Sequence, residues 1–427
     1  DLERHLRHEP VLASPPSTAY RLRKFVRRHR VGVAASAVVV LALVVAVVGT
    51  SMGLLRAKRE AENARQVSEF LVGMFEELGP ESDLGATLSV RDVLDRGAGR
   101  LDRELEGQPL VRARLLAAIG HTYRQLGYYD EARPLLERSL ELRHGLLGED
   151  HPDVAASLHL LGRLHYWSGD HRQARLTLQR SLEVYETAYG PEHPEVASAL
   201  TTLGFVLWRS GEWALARSRL ERALAIEEGT HRPDPRRVSN VLYFLGVLGL
   251  DMRDYDRARS VLQRSLTLRE EALGPDHPQV GWALHELGRA DLDTLNLEAA
   301  RPLLERALTV QEGAYGPDNP VVAYPLTKLA HIHSLEGDHA TADTMFERAL
   351  AIRERALGPD HPDLTWTLRP WGTHLVRGGD RAGARRLYER ALTIAENAWG
   401  PEHVEVVFCL SELGVLEHDD GNLARAR

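Results

Sequence analysis

Apolar residues follow two different patterns along this chain. From Val31 to Leu55, VGVAASAVVVLALVVAVVGTSMGLL, they continue through 25 residues without a charge. At 1.5 Å per residue this predicts a helix of about 37 Å, enough to cross a hydrocarbon core of roughly 30 Å with some tilt. A buried soluble helix of that length keeps a polar face, and a cleaved signal sequence has a shorter apolar run behind a shorter polar segment. Further along, the apolar residues recur at helical spacing. Val154, Ala155, Leu158, Leu161 and Leu164 form one stripe over Pro152 to Tyr166, which Gly169-Asp170 breaks. Ala174, Leu178, Leu182 and Tyr185 form a second stripe that closes before Gly190-Pro191. The pair predicts a helical hairpin.

The hairpin recurs with a period of 42 residues. Gly148, Gly190, Gly274, Gly316, Gly358 and Gly400 keep that spacing, and only the phase at Arg232 lacks glycine. Ala132, Ala174, Ala216, Ala258, Ala300, Ala342 and Ala384 keep it too, as do Gly120, Gly162, Gly204, Gly246, Gly288, Gly372 and Gly414, with Ala330 in the exceptional phase. Each small residue predicts a close approach of two helices. Arg138, Arg180, Arg222, Arg264, Arg306, Arg348 and Arg390 form a further series. A fixed period of this size predicts a solenoid, in which each unit buries its apolar face against its neighbours.

Charge adds a direction to the apolar span. Arg21, Arg23, Lys24, Arg27, Arg28 and Arg30 precede it with no acid among them, whereas Glu60 and Glu62 offset the basic residues that follow it. The positive-inside bias places residues 1–30 in the cytoplasm and the remainder beyond the membrane, so a single-pass plasma (inner) membrane protein is expected. The stretch from Arg21 to Arg30 is read either as a topology signal alone or as a contact for anionic lipid head groups as well. Residues 56–110 read as a helical stalk and leading cap, with helical stretches from Arg56 to Leu78 and near Val90 to Leu105.

Composition agrees with an all-α chain. Leu, Ala, Arg and Glu dominate, and seven Phe in 427 residues are few for one large core. A net charge of -8, with arginines interleaved among glutamates, argues against a nucleic-acid binder. Cys409 is the one cysteine, which leaves no intrachain disulfide and no cysteine-rich zinc site.

The strings LGEDHPDVAASL, YGPEHPEVASAL and LGPDHPQVGWAL place a histidine at a repeated phase. Metal ligands must converge to within about 4 Å of one another, whereas equivalent residues of successive helices stand at least roughly 8–10 Å apart. The acid before each histidine and the proline after it suit a helix start, so the histidines are read as punctuation and no metal or cofactor is expected. His331 and His333 face different sides of one helix, one toward a groove and one toward packing. The Glu-Arg dyads, such as Glu221-Arg222, are read as structural ion pairs. No phosphate loop, kinase triplet, HExxH helix or GxSxG elbow is present, and no catalytic residue is assigned.

The spacing Leu158, Leu161-Gly162, Ala174, Leu178 resembles the tetratricopeptide repeat, over residues 111–427, as seven full units and part of an eighth. The unit is longer than that family's usual one, and similar to the long repeats of kinesin light chains. The resemblance implies a right-handed α-solenoid whose groove is lined by the first helix of each unit, at fixed offsets from its central glycine. Carried onto this chain, those offsets give His159, Arg163, Tyr166 and Trp167 in the second unit, Thr201, Phe205, Trp208 and Arg209 in the third, and Tyr243 in the fourth. They imply a protein or peptide partner docked on units two to four, with acidic groups on Arg163 and Arg209. The seventh unit has Arg369, Thr373, Val376 and Arg377 there instead.

The stretch DLERHLRHEPVLASPPSTAYRLRKFVRRHR, one span and long tetratricopeptide units together resemble the juxtamembrane and extracytoplasmic part of bacterial receptor-type serine/threonine kinases. That resemblance implies a kinase domain ahead of Asp1 and a sensor or scaffold role, while the stop at Arg427 midway through a second helix, without the polar capping helix of a solenoid, leads to the expectation of a chain continuing past it. A membrane-tethered scaffold with no kinase is the alternative.

Overall fold

A computed structural model of the chain describes residues 89–419, with Glu3 and Leu6 ahead of them as isolated helical positions. The chain divides into two compact units, Asp1–Leu115 and Leu116–Arg427. Among the described residues every regular element is helical, and none is long and apolar enough to cross a membrane. The expected span at 31–55, the basic stretch from Arg21 to Arg30 and the stalk up to residue 88 lie outside the described residues.

In the first unit, α1 (Val90–Glu104) opens with a capping box. The Ser89 hydroxyl accepts from the Asp92 amide, while the Asp92 carboxylate accepts from the Ser89 amide at 2.8 Å. These bonds hold the Asp92 carboxyl below its usual range.

The solenoid is built from alternating first and second helices. The first helices are α2 (Pro109–Gln125), α4 (Pro152–Trp167), α6 (Pro194–Arg209), α8 (Pro235–Asp251), α10 (Pro278–Asp293), α12 (Ala323–Glu336), α14 (Thr365–Gly378) and α16 (Val404–Asp419). The second helices are α3 (Tyr129–Leu147), α5 (His171–Tyr189), α7 (Trp213–Gly229), α9 (Tyr255–Leu273), α11 (Leu297–Tyr315), α13 (His339–Leu357) and α15 (Arg381–Trp399). The long form of the repeat shows in second helices of mostly 19 residues.

Why the helices start where they do follows from local chemistry. Nδ1 of His151, His193 and His277 accepts the amide of the residue two positions on, at 3.1–3.2 Å, with proline as the first helical residue. His361 does the same, His403 caps at 3.3 Å ahead of Val404 in place of proline, and Asn319 and Asp234 serve with a side-chain oxygen. The repeated histidine is therefore itself the helix cap. Among the described residues no cluster of His, Cys, Asp or Glu is arranged to hold a metal.

Helix pairs are locked by the small-residue series. A Cβ on Gly162 would stand 2.6 Å from Leu178 Cγ, and one on Gly204 would stand 2.7 Å from Leu220 Cγ, so only glycine permits the observed approach. Ala174, Ala216 and Ala258 are fully buried at the other close approach. The fourth unit keeps this packing without the glycine at position 232: α7 ends at Gly229 and Thr230 turns away in extended conformation.

The arginine series makes ion pairs, but not with the adjacent glutamate. Arg222 pairs with Glu186 at 2.6 Å, Arg306 with Glu270, Arg348 with Glu312 and Arg390 with Glu354 at 2.7 Å. Each pair joins one unit to the preceding one. Adjacent helical residues diverge, which is why the neighbouring Glu is not the partner.

Candidate functional site

The first helices of units two to five surround a cavity of about 690 Å³. His159, Arg163, Tyr166, Trp167, Thr201, Phe205 and Tyr243 line it together. These are seven of the nine positions named from sequence. Trp167 is half exposed at its rim. From there a string of rings runs inward: Trp167 to Tyr166 at 5.2 Å, Tyr166 to Phe205 at 4.9 Å, Phe205 to Phe244 at 5.3 Å and Phe244 to Tyr243 at 5.4 Å between centroids.

Trp208 and Arg209 stand beside the cavity and are engaged within the fold. The Trp208 indole N–H donates to Asp251 Oδ2 at 2.7 Å, and Arg209 Nε donates to the Tyr166 hydroxyl at 3.1 Å. Burial alone would weaken the charge of Arg209, but Tyr166 and Asp363 hold it in place and raise its pKa. Its guanidinium also lies 5.7 Å from the Trp208 ring centroid. An acidic partner group therefore meets competition at Arg209.

Arg163 differs. It makes no hydrogen bond or ion pair among the described residues, and burial lowers its pKa. His159 shares Thr202 Oγ1 through Nε2 at 3.1 Å, and burial, then Arg163, His121 and Arg124, push it down to about 4. Thr201 is buried and returns its hydroxyl to Ala197 O at 2.7 Å.

Several lining residues were not named from sequence. Trp282 belongs to a phase six residues ahead of the central glycine, which also holds Tyr324, Trp366 and Phe408. Reading the 42-residue series one helical turn earlier would have found it. Trp282 meets Tyr324 at 5.1 Å, edge to face. Arg269 enters the cavity from a second helix, where the groove offsets do not reach. It donates to Gln279 O at 2.7 Å and sits 4.4 Å from the Tyr243 ring centroid. Burial lowers its pKa to about 10.

Deeper in the array Arg289 and Arg369 are compensated by acids. Arg289 binds Asp251 and stands 3.4 Å from Glu286 and 3.5 Å from Asp293. Arg369 of the seventh unit binds Glu405 at 2.9 Å and Glu412 at 3.0 Å. His331 is half-buried at the groove phase, and burial, then Lys328, bring it down to about 3. His333 packs toward the second helix ahead of it, 3.2 Å from Arg301 and 3.2 Å from Asp338.

Stacked helical hairpins with a lined inner face define an α-solenoid of repeat type. The chain belongs to the tetratricopeptide-repeat family, whose model matches residues 111–187, 167–228, 237–313, 292–355 and 321–397. No curated protein matches it. Among solved structures it is similar to a Rap protein complexed with competence and sporulation factor, at 14% identity and TM-score 0.59, over 86% of this chain and 95% of that one. It is also similar to aspartyl phosphate phosphatase F from Bacillus subtilis, at 15% identity and TM-score 0.52, over 85% and 91%. The TPR-like repeats of a Podosopora anserina kinesin light chain align at 24% identity and TM-score 0.41, over 49% and 98%. At these identities the likeness to the Rap protein and to phosphatase F is one of fold.

Proposed function

We propose that this chain is a membrane-anchored protein–protein interaction module that captures an extended peptide segment of a partner in the groove of units two to four. The observation that carries the reading is the cavity, where an exposed tryptophan leads into a run of aromatic rings beside an uncompensated arginine. Aromatic and arginine clusters in recessed, partly dry sites are the usual anchors of protein recognition. The Rap structure, a similar fold, is complexed with a factor named for competence and sporulation, which supports a binding role for the array. A peptide library displayed on phage and selected on the full chain tests the reading. Selected sequences should lose about 2 kcal/mol or more of affinity on Trp167→Ala.

The membrane part of the proposal rests on the sequence of residues 21–55, with the array carried beyond the membrane and a serine/threonine kinase domain ahead of Asp1. The alternative is a tethered scaffold without a kinase. Cysteines placed at Arg27 and Thr230 and labelled with an impermeant reagent in spheroplasts should react at 230 and stay protected at 27. The opposite pattern contradicts the orientation, and the coding sequence upstream decides whether a kinase is attached.

A further inference from the structure

Cations facing the first helices differ in their partners, and Arg269 and Arg353 lie over tyrosine rings without an ion pair. Arg209, Arg289 and Arg369 each have an acid or a phenol in contact. Arg124 and Arg163, at the other end, have no acid in contact among the described residues. Arg124 is 6% exposed and its Nε has no hydrogen-bond partner. His121 lies one turn before Arg124 on α2, and its Nδ1 is likewise buried without a partner. His159 lies one turn before Arg163 on α4. The four groups act on one another directly: Arg124 and Arg163 both oppose protonation of His121 and of His159. Tyr129 faces Arg124, and Asp363 acts on Tyr129 and Tyr166, but no carboxylate acts on the two histidines or on Arg163.

One buried and one half-buried guanidinium without an acidic partner destabilise the empty array, because desolvation of each is not offset by an ion pair. The charge missing from this end of the groove is about two units negative. One carboxylate would leave one guanidinium uncompensated, whereas a phosphoryl dianion matches both and accepts further hydrogen bonds from two neutral imidazoles.

We infer that His121, Arg124, His159 and Arg163 form a site for a phosphoryl dianion, the group carried by a phosphorylated residue of the partner segment. This deepens the reading above by adding a charged end to the aromatic cavity that His159 and Arg163 also line.

Isothermal titration of the full chain with inorganic phosphate at pH 7.5, against sodium acetate at equal ionic strength, tests it. Saturable one-to-one binding is expected for phosphate, at least tenfold weaker binding for acetate, and loss of at least tenfold in affinity in Arg124→Gln/Arg163→Gln. The unfolding midpoint of Arg163→Gln without anion should stay level or rise, since an uncompensated charge is removed. Absence of saturable heat, equal affinity for acetate, an unchanged double variant, or a lowered midpoint in Arg163→Gln would each overturn the assignment. Selected peptides that still require Trp167 in that event would leave the aromatic groove standing, and a phosphate response that persists without any Trp167-dependent peptide would count against the groove alone.

Discussion

The guanidinium of Arg209 lies 5.6 Å from the centroid of the Trp366 ring, although the two residues belong to the third and seventh units. First helices that are far apart in sequence thus meet inside the array, and Asp363 reaches Arg209 and Tyr166 in the same place. A cation over a partly desolvated indole contributes about 0.5–2 kcal/mol. A double-mutant cycle with Arg209→Ala and Trp366→Ala should give a coupling of that order in chemical denaturation. Strict additivity would show that the two do not interact in solution.

The two tryptophans named for the groove should separate in their effects. Trp167 is 50% exposed, whereas Trp208 is half-buried and bonded to Asp251. Trp167→Ala is expected to leave the unfolding midpoint level, and Trp208→Ala to lower stability by about 3 kcal/mol through lost packing and the lost hydrogen bond to Asp251 Oδ2. Thermal unfolding of both variants checks this, and equal midpoints would contradict it.

Ala258 is fully buried, and a Cβ on Gly249 would stand 3.1 Å from its own Cβ. Ala258→Arg should therefore overpack the contact between α8 and α9 by well over the roughly 1–3 kcal/mol of an added methylene. In a one-dimensional array the damage stays mainly with the adjacent units. Hydrogen exchange should lose protection in the fourth and fifth units first, and unchanged protection there would refute the phase assignment.

Histidines held neutral make the fold acid-sensitive. Burial, with the neighbouring cations, brings His121 and His159 down to about 4 and His331 to about 3. Unfolded, they titrate near 6.5. Between these limits the unfolded chain binds more protons, so stability rises with pH from about 4 to 6.5 and is lost as pH falls through that window. Glu286, raised by burial, acts in the opposite sense. Unfolding midpoints measured from pH 4.5 to 7.5 should climb, and His159→Gln should flatten the climb. A midpoint that falls with pH across the window would contradict this account.

Much of this architecture was legible in the sequence, because a 42-residue period records the same packing problem repeatedly. Gly162 opposite Leu178 and the buried Ala174 series are sterically determined, so composition alone exposes them. The histidine phase reads as a helix start, but the acceptor is the imidazole itself and not the acid before it. Ion-pair partners were less legible. Arg222 finds Glu186 and not Glu221, since that choice depends on how one unit stacks on the last. Arg209 reads in sequence like Arg163, and only the stacking of units, both adjacent and distant, separates an occupied cation from an uncompensated one.

The central claim, that a partner segment lies in the groove of units two to four, is tested most directly by site-specific photo-crosslinking of the full chain expressed in cells. Benzoyl-phenylalanine placed at Trp167 should capture one partner whose crosslinked peptide maps to a single extended segment. The same probe at Arg264, which is exposed on a second helix and pairs with Glu228 at 2.5 Å, should capture nothing in common with it. Capture of the same peptide from Arg264, with none from Trp167, would contradict the claim and move recognition to the outer face of the solenoid.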